Sequence, residues 1–470
     1  MSKRIACLFL ALLLLIVPFT AQAAYEGKIT SDHVLLMDYD SGAILYEKDA
    51  YSKAYPASTT KIMTCILVLE NCENLREKVL IGDIVKEYGP GNSLMGLTAG
   101  DEVRVKELLY GLMLPSGNDA AAVLAQKFGG SIEGFADMMN AKAKELGMED
   151  THYVTPHGLH NEDHYTTAAD MAKLVRYVMK NGDFMKIVGT PSYTCPETKK
   201  SEERTLYNSN RFISPRSKNK SYNWDAVTGM KTGYTNPAGG CLVTTAEQDG
   251  KTLLCVLFGD RSDGQEARWS ESRALLEFGF ENLTSLSLSE LSLAAPKVQV
   301  SDASVRDAES GQLQVVLDTN GQKISGLKEI LNGALEHPEN IRIALDCGHV
   351  VAPIEAGQKL GTATLSYNGN ELGTVDVTAS RSVESTASDP VVTPEADGQE
   401  NSGTSLLSGE AIPTEKKGMS TYAIIALVLL VLILLLALAR LRVVLCRRRR
   451  QRRRRQMLED AQRRESGNHY

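Results

Sequence analysis

The chain has 470 residues, 43% hydrophobic and 23% charged, with a formal net charge of −7. That is enough apolar material for one large and one smaller globular domain with non-globular ends, which excludes a wholly disordered chain. Charge is unevenly spread: twelve arginines against three carboxylates give residues 440–470 a net +9, Lys3 and Arg4 give the start +2, and the rest is left with −18, which argues against a nucleic-acid partner.

In chain order, Lys3 and Arg4 precede an apolar run over 5–19 and the small-x-small triplet Ala21-Gln22-Ala23. This is the pattern of a secretory leader over 1–23, leaving a mature chain that begins near Ala24. Residues 33–46 form two apolar strand-like runs split by Asp40-Ser41-Gly42, a hairpin signal. An apolar helix is expected after Tyr55, and helical periodicity follows at 105–114, 120–128, 132–146 and 168–179. Strand-like runs come at 239–245 and 253–259, then a last helix at 270–280. Strands at both ends with helices between predict one α/β (α+β) domain over 24–282, its sheet completed by sequence-distant pieces.

From 283 to 380 the pattern changes to short β-type runs (298–300, 313–317, 341–345, 363–366, 374–378) broken by turns such as Asn368-Gly369, which predicts a small all-β second domain. Residues 381–420, rich in Ser, Thr, Pro, Glu and Gly, read as a disordered tether. Residues 421–439 are nineteen without a charge; at about 1.5 Å per residue they approach the ~30 Å hydrocarbon thickness and predict a transmembrane helix. The Arg-rich tail at 440–470 is then cytoplasmic and everything before the span extracytoplasmic, a single-pass cell-membrane protein. Six cysteines fall in the exported part, yet Cys65, Cys241 and Cys255 lie in apolar runs and read as small buried hydrophobes, so no obligatory disulfide framework is expected.

Within the helix after Tyr55, Ser58 and Lys61 stand three apart on one face of an otherwise apolar segment. Near a helix start a serine hydroxyl meets the positive end of the dipole and free amides able to bind an oxyanion. A lysine can deprotonate it only if its ammonium is disfavoured, which burial and a second lysine both achieve. Ser-x-x-Lys alone is weak evidence, because Ser217 to Lys220 and Ser325 to Lys328 match it on polar segments. Two further motifs in order separate Ser58: Ser116-Gly117-Asn118, on a turn ahead of a helix, and Lys231-Thr232-Gly233, just before the run at 239–245. There glycine admits a substrate backbone and lysine offers a cation to a carboxylate.

These motifs are the Ser-x-x-Lys, Ser-x-Asn and Lys-Thr-Gly set of the penicillin-recognising serine enzymes. Over roughly residues 1–380 the chain resembles the low-molecular-mass penicillin-binding proteins that are serine-type D-alanyl-D-alanine carboxypeptidases. The similarity extends to the segments LPSGNDAA (114–121), His157-Gly158-Leu159, HYTTAADM (164–171) and GMKTGYTNPAGG (229–240), and to Ala352-Pro353-Ile354 with GQKLG (357–361) in the second domain. It implies a penicillin-binding, β-lactamase-like transpeptidase fold and removal of the terminal D-Ala from peptidoglycan stem pentapeptides, with β-lactams as acylating inhibitors and no cofactor. By resemblance, Ser58 is acylated, Lys61 deprotonates it and Ser116 relays a proton. Asn118 binds the substrate amide, Lys231 and Thr232 hold the terminal carboxylate beside Gly233, and the amides of Ser58 and Tyr234 form the oxyanion hole. Arg268 is a second carboxylate-binding arginine, and His157 has no evident chemical role. The full membrane span departs from the amphipathic surface helix common among relatives.

Rival readings are a β-lactamase and a non-catalytic cell-wall-binding protein. The first needs a general-base Glu between the second and third motifs, and the only Glu-x-Leu-Asn, at Glu329 to Asn332, follows both. The second has no use for a buried lysine base. His152, His157, His160 and His164 crowd thirteen residues, but no zinc-type carboxylate or thiol set accompanies them, and they read as a polar loop with no metal.

Overall fold

Alternation along the two most apolar strand runs divides the protein into two layers. In the computed structural model, which describes residues 25–217 and 219–388, strands β1 (His33–Asp38) and β2 (Ile44–Lys48) form the expected hairpin. Beyond the helical region come β7 (Val227–Thr235), β8 (Gly239–Gln248) and β9 (Lys251–Asp260), following the short pairs β3 (Lys78–Leu80) with β4 (Glu102–Arg104) and β5 (Ser192–Cys195) with β6 (Arg204–Tyr207). The central sheet runs β2-β1-β9-β8-β7, antiparallel throughout, so β1 meets β9 across more than two hundred residues, with Leu35 opposite Val256. Because the strand period is two, Leu254, Val256 and Phe258 face one core while Leu253, Cys255 and Leu257 face another.

The first core holds helices α1 (Lys61–Asn71), α2 (Val105–Met113), α3 (Asn118–Gly129), α4 (Ile132–Glu145), α5 (Ala168–Val178) and α6 (Gly182–Val188). Every residue from Lys61 to Val68 is buried, so α1 passes through the middle of this layer rather than along its surface. On the other face lies α7 (Ala267–Asn282), whose Trp269, Leu275 and Leu276 share a core with the second domain.

That domain begins with β10 (Leu283–Ser287), directly after α7. Its main sheet runs β11-β12-β16-β15-β14, from β11 (Lys297–Gln299), β12 (Gln312–Asp318), β14 (Ile341–Asp346), β15 (Lys359–Tyr367) and β16 (Asn370–Ala379), while β10 pairs β13 (Lys323–Leu327). It is not purely β. Helix α8 (Lys328–Glu336) buries Ile330, Leu331 and Ala334, a stripe short enough to be read as a loop.

Residues 381–388, expected as the start of a disordered tether, instead complete this domain. Val383 bridges Ile354 and is buried with Val300 and Leu313, and Arg381 clasps Asp307 through both of its terminal nitrogens. One buried valine and a bidentate ion pair outweigh the polar composition around them. The leader at 1–23, the rest of the tether, the span at 421–439 and the tail at 440–470 lie outside the described residues; among those described, no helix is long and apolar enough to cross a membrane. Cys65, Cys241 and Cys255 are fully buried, and burial pushes their thiols up, that of Cys241 to about 12.

Leu254 is fully buried where β9 meets the helical layer. Leu254→Ala should lower unfolding free energy by about 2–5 kcal/mol, the usual cost of a buried leucine cavity. Denaturant titration of wild type and variant checks this, and a change under 1 kcal/mol would contradict the packing described.

Candidate active site

Pro56 leads into a 3-10 turn, Ala57–Thr60, which carries Ser58 and runs straight into α1 at Lys61. Ala57 holds a left-handed φ of 46°. Two contacts sustain that conformation. Thr60 donates its hydroxyl to the Ala57 carbonyl at 2.7 Å, and Gly158 presses on the same carbonyl so closely that an added Cβ would stand 1.9 Å from the oxygen.

His164 stands behind Thr60. Its Nδ1 accepts from the amides of Val154 (3.0 Å) and Thr155 (3.3 Å), which leaves the proton on Nε2, 2.8 Å from the Thr60 hydroxyl oxygen. The hydrogen bonds therefore run in one direction, from His164 through Thr60 to Ala57. Burial first, then the neighbouring His152, His160 and Lys61, hold the His164 imidazole down to about 3, so it stays neutral and keeps this tautomer.

Lys61 is fully buried. Its Nζ lies 2.9 Å from Ser58 Oγ, 2.8 Å from Asn118 Oδ1 and 2.8 Å from the His157 carbonyl oxygen. Asn118 Oδ1 and the carbonyl can only accept, whereas the serine hydroxyl can donate. A neutral amine, with two N–H donors and one lone pair, satisfies all three and turns its lone pair to Ser58. Electrostatics agree: burial and then Lys231 hold the Lys61 pKa well below the ordinary lysine value, against an opposing pull from Asp119.

Asn118 opens α3 and is fixed from several sides. Its amide nitrogen bonds Asn92 Oδ1 at 3.0 Å, and the adjoining Asp119 carboxylate accepts from the amides of Met95, Gly96 and Leu97. Ser116, two residues before, has a φ of 66° and a buried hydroxyl with no partner among the described residues. His157 is buried against Tyr88, with Nε2 3.1 Å from the phenol; burial, Lys61 and His164 push it down to about 3. The expected polar histidine loop is thus divided, with His157 and His164 inside the site and His152 and His160 outward, because the chain doubles back over α1. No group of metal-ligating side chains occurs among the described residues.

The third motif lies on a strand of its own, directly before the one formed by the run at 239–245. Lys231, Thr232, Gly233 and Tyr234 belong to β7, an edge of the central sheet, paired only to β8 within it. Their mixed polar and glycine sequence hides this from periodicity. A Cβ on Gly233 would come 3.0 Å from the Ser58 amide nitrogen, so only glycine lets β7 lie this close to the turn. Lys231 is buried, and burial followed by Arg268 pulls it down to about 7. The Thr232 hydroxyl meets Ser209 Oγ at 2.8 Å, while the Tyr234 side chain is exposed and bonds Asn236. Arg268 at the start of α7 is buried; its Nη1 donates to the Gly233 carbonyl at 2.8 Å, so it braces the β7 backbone from behind. Residues 58, 61, 116, 118 and 231–233 come from three separate stretches, and α1, the start of α3 and β7 bring them together. Thr60, Asn92, Tyr88, Asp119 and Ser209 carry no pattern of their own, and His164 is not set apart from the other three histidines, since the contacts that matter reach residues distant in sequence.

Comparison with known proteins follows the same division. A family model described as D-alanyl-D-alanine carboxypeptidase matches residues 19–262, and one described as penicillin-binding protein 5, C-terminal domain, matches 296–385. The chain is 32% identical over 390 residues to D-alanyl-D-alanine carboxypeptidase DacF of Bacillus subtilis, covering 81% of this chain and 94% of that one. It is 31% identical to DacC of Escherichia coli, covering 75% and 84%. Among solved structures, penicillin-binding protein 5 of Haemophilus influenzae superposes with a TM-score of 0.56 at 25% identity, over 77% of this chain and 99% of that one. The Streptomyces K15 DD-transpeptidase gives 0.51 at 34% identity, over 55% and 100%. With both halves matched in order, the chain belongs to the D-alanyl-D-alanine carboxypeptidase family, as a catalytic domain followed by a C-terminal β domain.

Proposed function

We propose that this serine-type D-Ala-D-Ala carboxypeptidase works through Ser58 as nucleophile and neutral Lys61 as its base, trimming the terminal D-Ala from peptidoglycan stem pentapeptides. The observation that carries the reading is the buried Lys61 amine, whose three neighbours leave its lone pair for the Ser58 hydroxyl. As Ser58 Oγ attacks the penultimate carbonyl its proton passes to Lys61, and Ser116 hands a proton to the departing amine. Asn118 hydrogen-bonds the substrate amide. The open edge of β7 accepts the extended peptide, with Lys231 and Thr232 on its carboxylate and the amides of Ser58 and Tyr234 on the oxyanion. Arg268 adds positive potential behind Lys231 and holds Gly233 in place. Water then hydrolyses the ester. A β-lactam enters the same cycle as an acylating inhibitor.

The leader, the uncharged stretch at 421–439 and the arginine tail support an exported enzyme tethered to the outer face of the cytoplasmic membrane. Labelling of intact cells with a membrane-impermeant reagent should reach residues of the catalytic domain and spare the tail.

Incubation with a fluorescent penicillin should give a long-lived adduct, and a D-Ala-D-Ala pentapeptide should release D-Ala; Ser58→Ala should lose both. Full D-Ala release by Ser58→Ala would overturn the nucleophile assignment.

Two opposed titrations should shape the pH profile. Lys61 acts as base only when neutral, so kcat/KM rises as pH passes upward through its lowered pKa. Lys231 binds carboxylate only when protonated, so in the free enzyme kcat/KM falls as pH rises through about 7. Lys231→Arg, charged at every accessible pH, should remove the falling limb while keeping the rising one.

The His164 to Thr60 to Ala57 relay gives a third expectation. Thr60→Val keeps the shape but drops the hydroxyl that holds Ala57, and displacement of the Ser58 turn should slow acylation by on the order of 10²-fold. Thr60→Ser should restore most of the rate. Stopped-flow acylation of all three proteins, alongside their melting temperatures, separates loss of positioning from loss of stability.

A further inference from the structure

A cavity of about 190 Å³ lies where the β3–β4 pair, the first turn of α2 and the β5–β6 pair meet. None of the residues that line it belongs to the three motifs around Ser58. Met95, Val103 and Cys195, all buried, give it an apolar lining. A space of that size holds about six waters at roughly 30 Å³ each, or one small molecule.

Two charged groups in the lining are incompletely matched. Glu107 is only 5% exposed; its Oε1 accepts from the Tyr193 hydroxyl at 3.2 Å and lies 3.6 Å from Arg104 Nη1, but its Oε2 has no hydrogen-bond partner among the described residues. Arg204, opposite Cys195 across the β5–β6 pair, has a buried Nε that likewise has none. Glu102, also in the lining, is by contrast met by Lys78 and Lys199, each at 3.8 Å. A carboxylate oxygen without a donor and a guanidinium nitrogen without an acceptor are costly to keep out of water. Both stand close to one thiol: burial pushes Cys195 up to about 11, Arg204 opposing the shift and Glu107 adding to it. A molecule that satisfies both groups carries a donor and an acceptor a short distance apart, with opposite charges and a small apolar body between the walls.

We infer that this cavity is a second, non-catalytic site for a small amino acid in its zwitterionic form, with its ammonium on Glu107 Oε2 and its carboxylate on Arg204 Nε. The choice of amino acid rests on the Ser58 reading: D-alanine, the product released there, has one methyl group to place against Met95 and Val103. The site also adjoins the catalytic machinery. Met95 packs so tightly on α2 that a Cβ on Gly111 would stand 2.1 Å from its Sδ, and its backbone amide donates to Asp119 Oδ1 at 2.8 Å. The same loop supplies Asn92 Oδ1 to the Asn118 side chain and the Ser93 carbonyl to the Asn118 backbone amide. The wall of the cavity is therefore the loop that holds Asn118.

The test uses the full-length protein in detergent, first treated with benzylpenicillin so that the Ser58 cleft is occupied, then titrated with D-alanine and followed by saturation-transfer NMR. The acylated protein should bind D-alanine saturably. Propionate and ethylamine, each carrying one half of the zwitterion, should bind at least tenfold more weakly, a comparison that needs no variant. Glu107→Gln, which keeps an acceptor for Tyr193, and Arg204→Met should each weaken D-alanine binding by about tenfold, the loss of one charge-assisted contact, with melting temperatures showing that both are folded. A penicillin adduct without D-alanine binding would overturn the inference and leave the Ser58 reading intact. Binding unchanged in both variants, or matched by the two half-ligands, would also overturn it. Absence of any penicillin adduct would overturn the Ser58 reading, and the dependence of D-alanine binding on Glu107 and Arg204 would still decide the cavity.

Discussion

Most of this structure can be understood as the means of keeping one lysine side chain dry. Lys61 is fully buried at the first position of a helix that crosses the interior of its layer, an arrangement that would be strongly destabilising for an unpaired ammonium. Desolvation shifts the group toward its neutral form instead, and an amine still satisfies every partner around it. Burial thereby leaves the amine in the unprotonated form that can accept a proton. A second cation, Lys231, adds to the effect from the opposite wall and is itself lowered by Arg268 behind it. The cations form a gradient across the site, each lowered by burial and by the next: Arg268 helps pull Lys231 down to about 7, and Lys231 helps hold Lys61 well below the ordinary lysine value.

Such a gradient is stable only if the walls do not move. The turn bearing Ser58 is held by a residue in the left-handed region, which in turn depends on the hydrogen bonds from His164 and on the absence of a side chain at Gly158. The opposite wall is an edge strand that approaches to contact distance because position 233 is glycine. Rigid elements thus supply the precision on both sides, while the substrate side of β7 stays open. An edge strand ordinarily invites unwanted pairing; in the function proposed above it is where the extended peptide adds.

The two-sided central sheet links this site to the rest of the chain. One face packs the helices that carry Lys61 and Asn118, and the other packs α7, which delivers Arg268 and continues into the β domain without an intervening linker. The catalytic and β domains share one apolar cluster, from Leu257 and Leu276 to Leu331 and Val377. The β domain is therefore fixed relative to the active site by packing rather than hung from it.

By itself the sequence determined the reaction class, because Ser58, Lys61, Ser116, Asn118 and Lys231 to Gly233 occur in local motifs whose chemistry depends on residue type and order. It also determined the main helices and the strongly alternating strands, since amphipathic period is a local property that survives in the fold. Tertiary structure alone decided that Lys-Thr-Gly lies on an edge strand against the Ser58 turn, because pairing with β8 on one side and the close approach of Gly233 to Ser58 both join residues far apart in sequence. It decided that residues 381–388 belong to the β domain, through contacts of Val383 and Arg381 with partners more than twenty residues away. And it decided which histidines matter. Four crowd one segment, and nothing local distinguishes His164, which braces the turn bearing Ser58, from His160, which faces outward; that difference exists only once the segment folds back over α1.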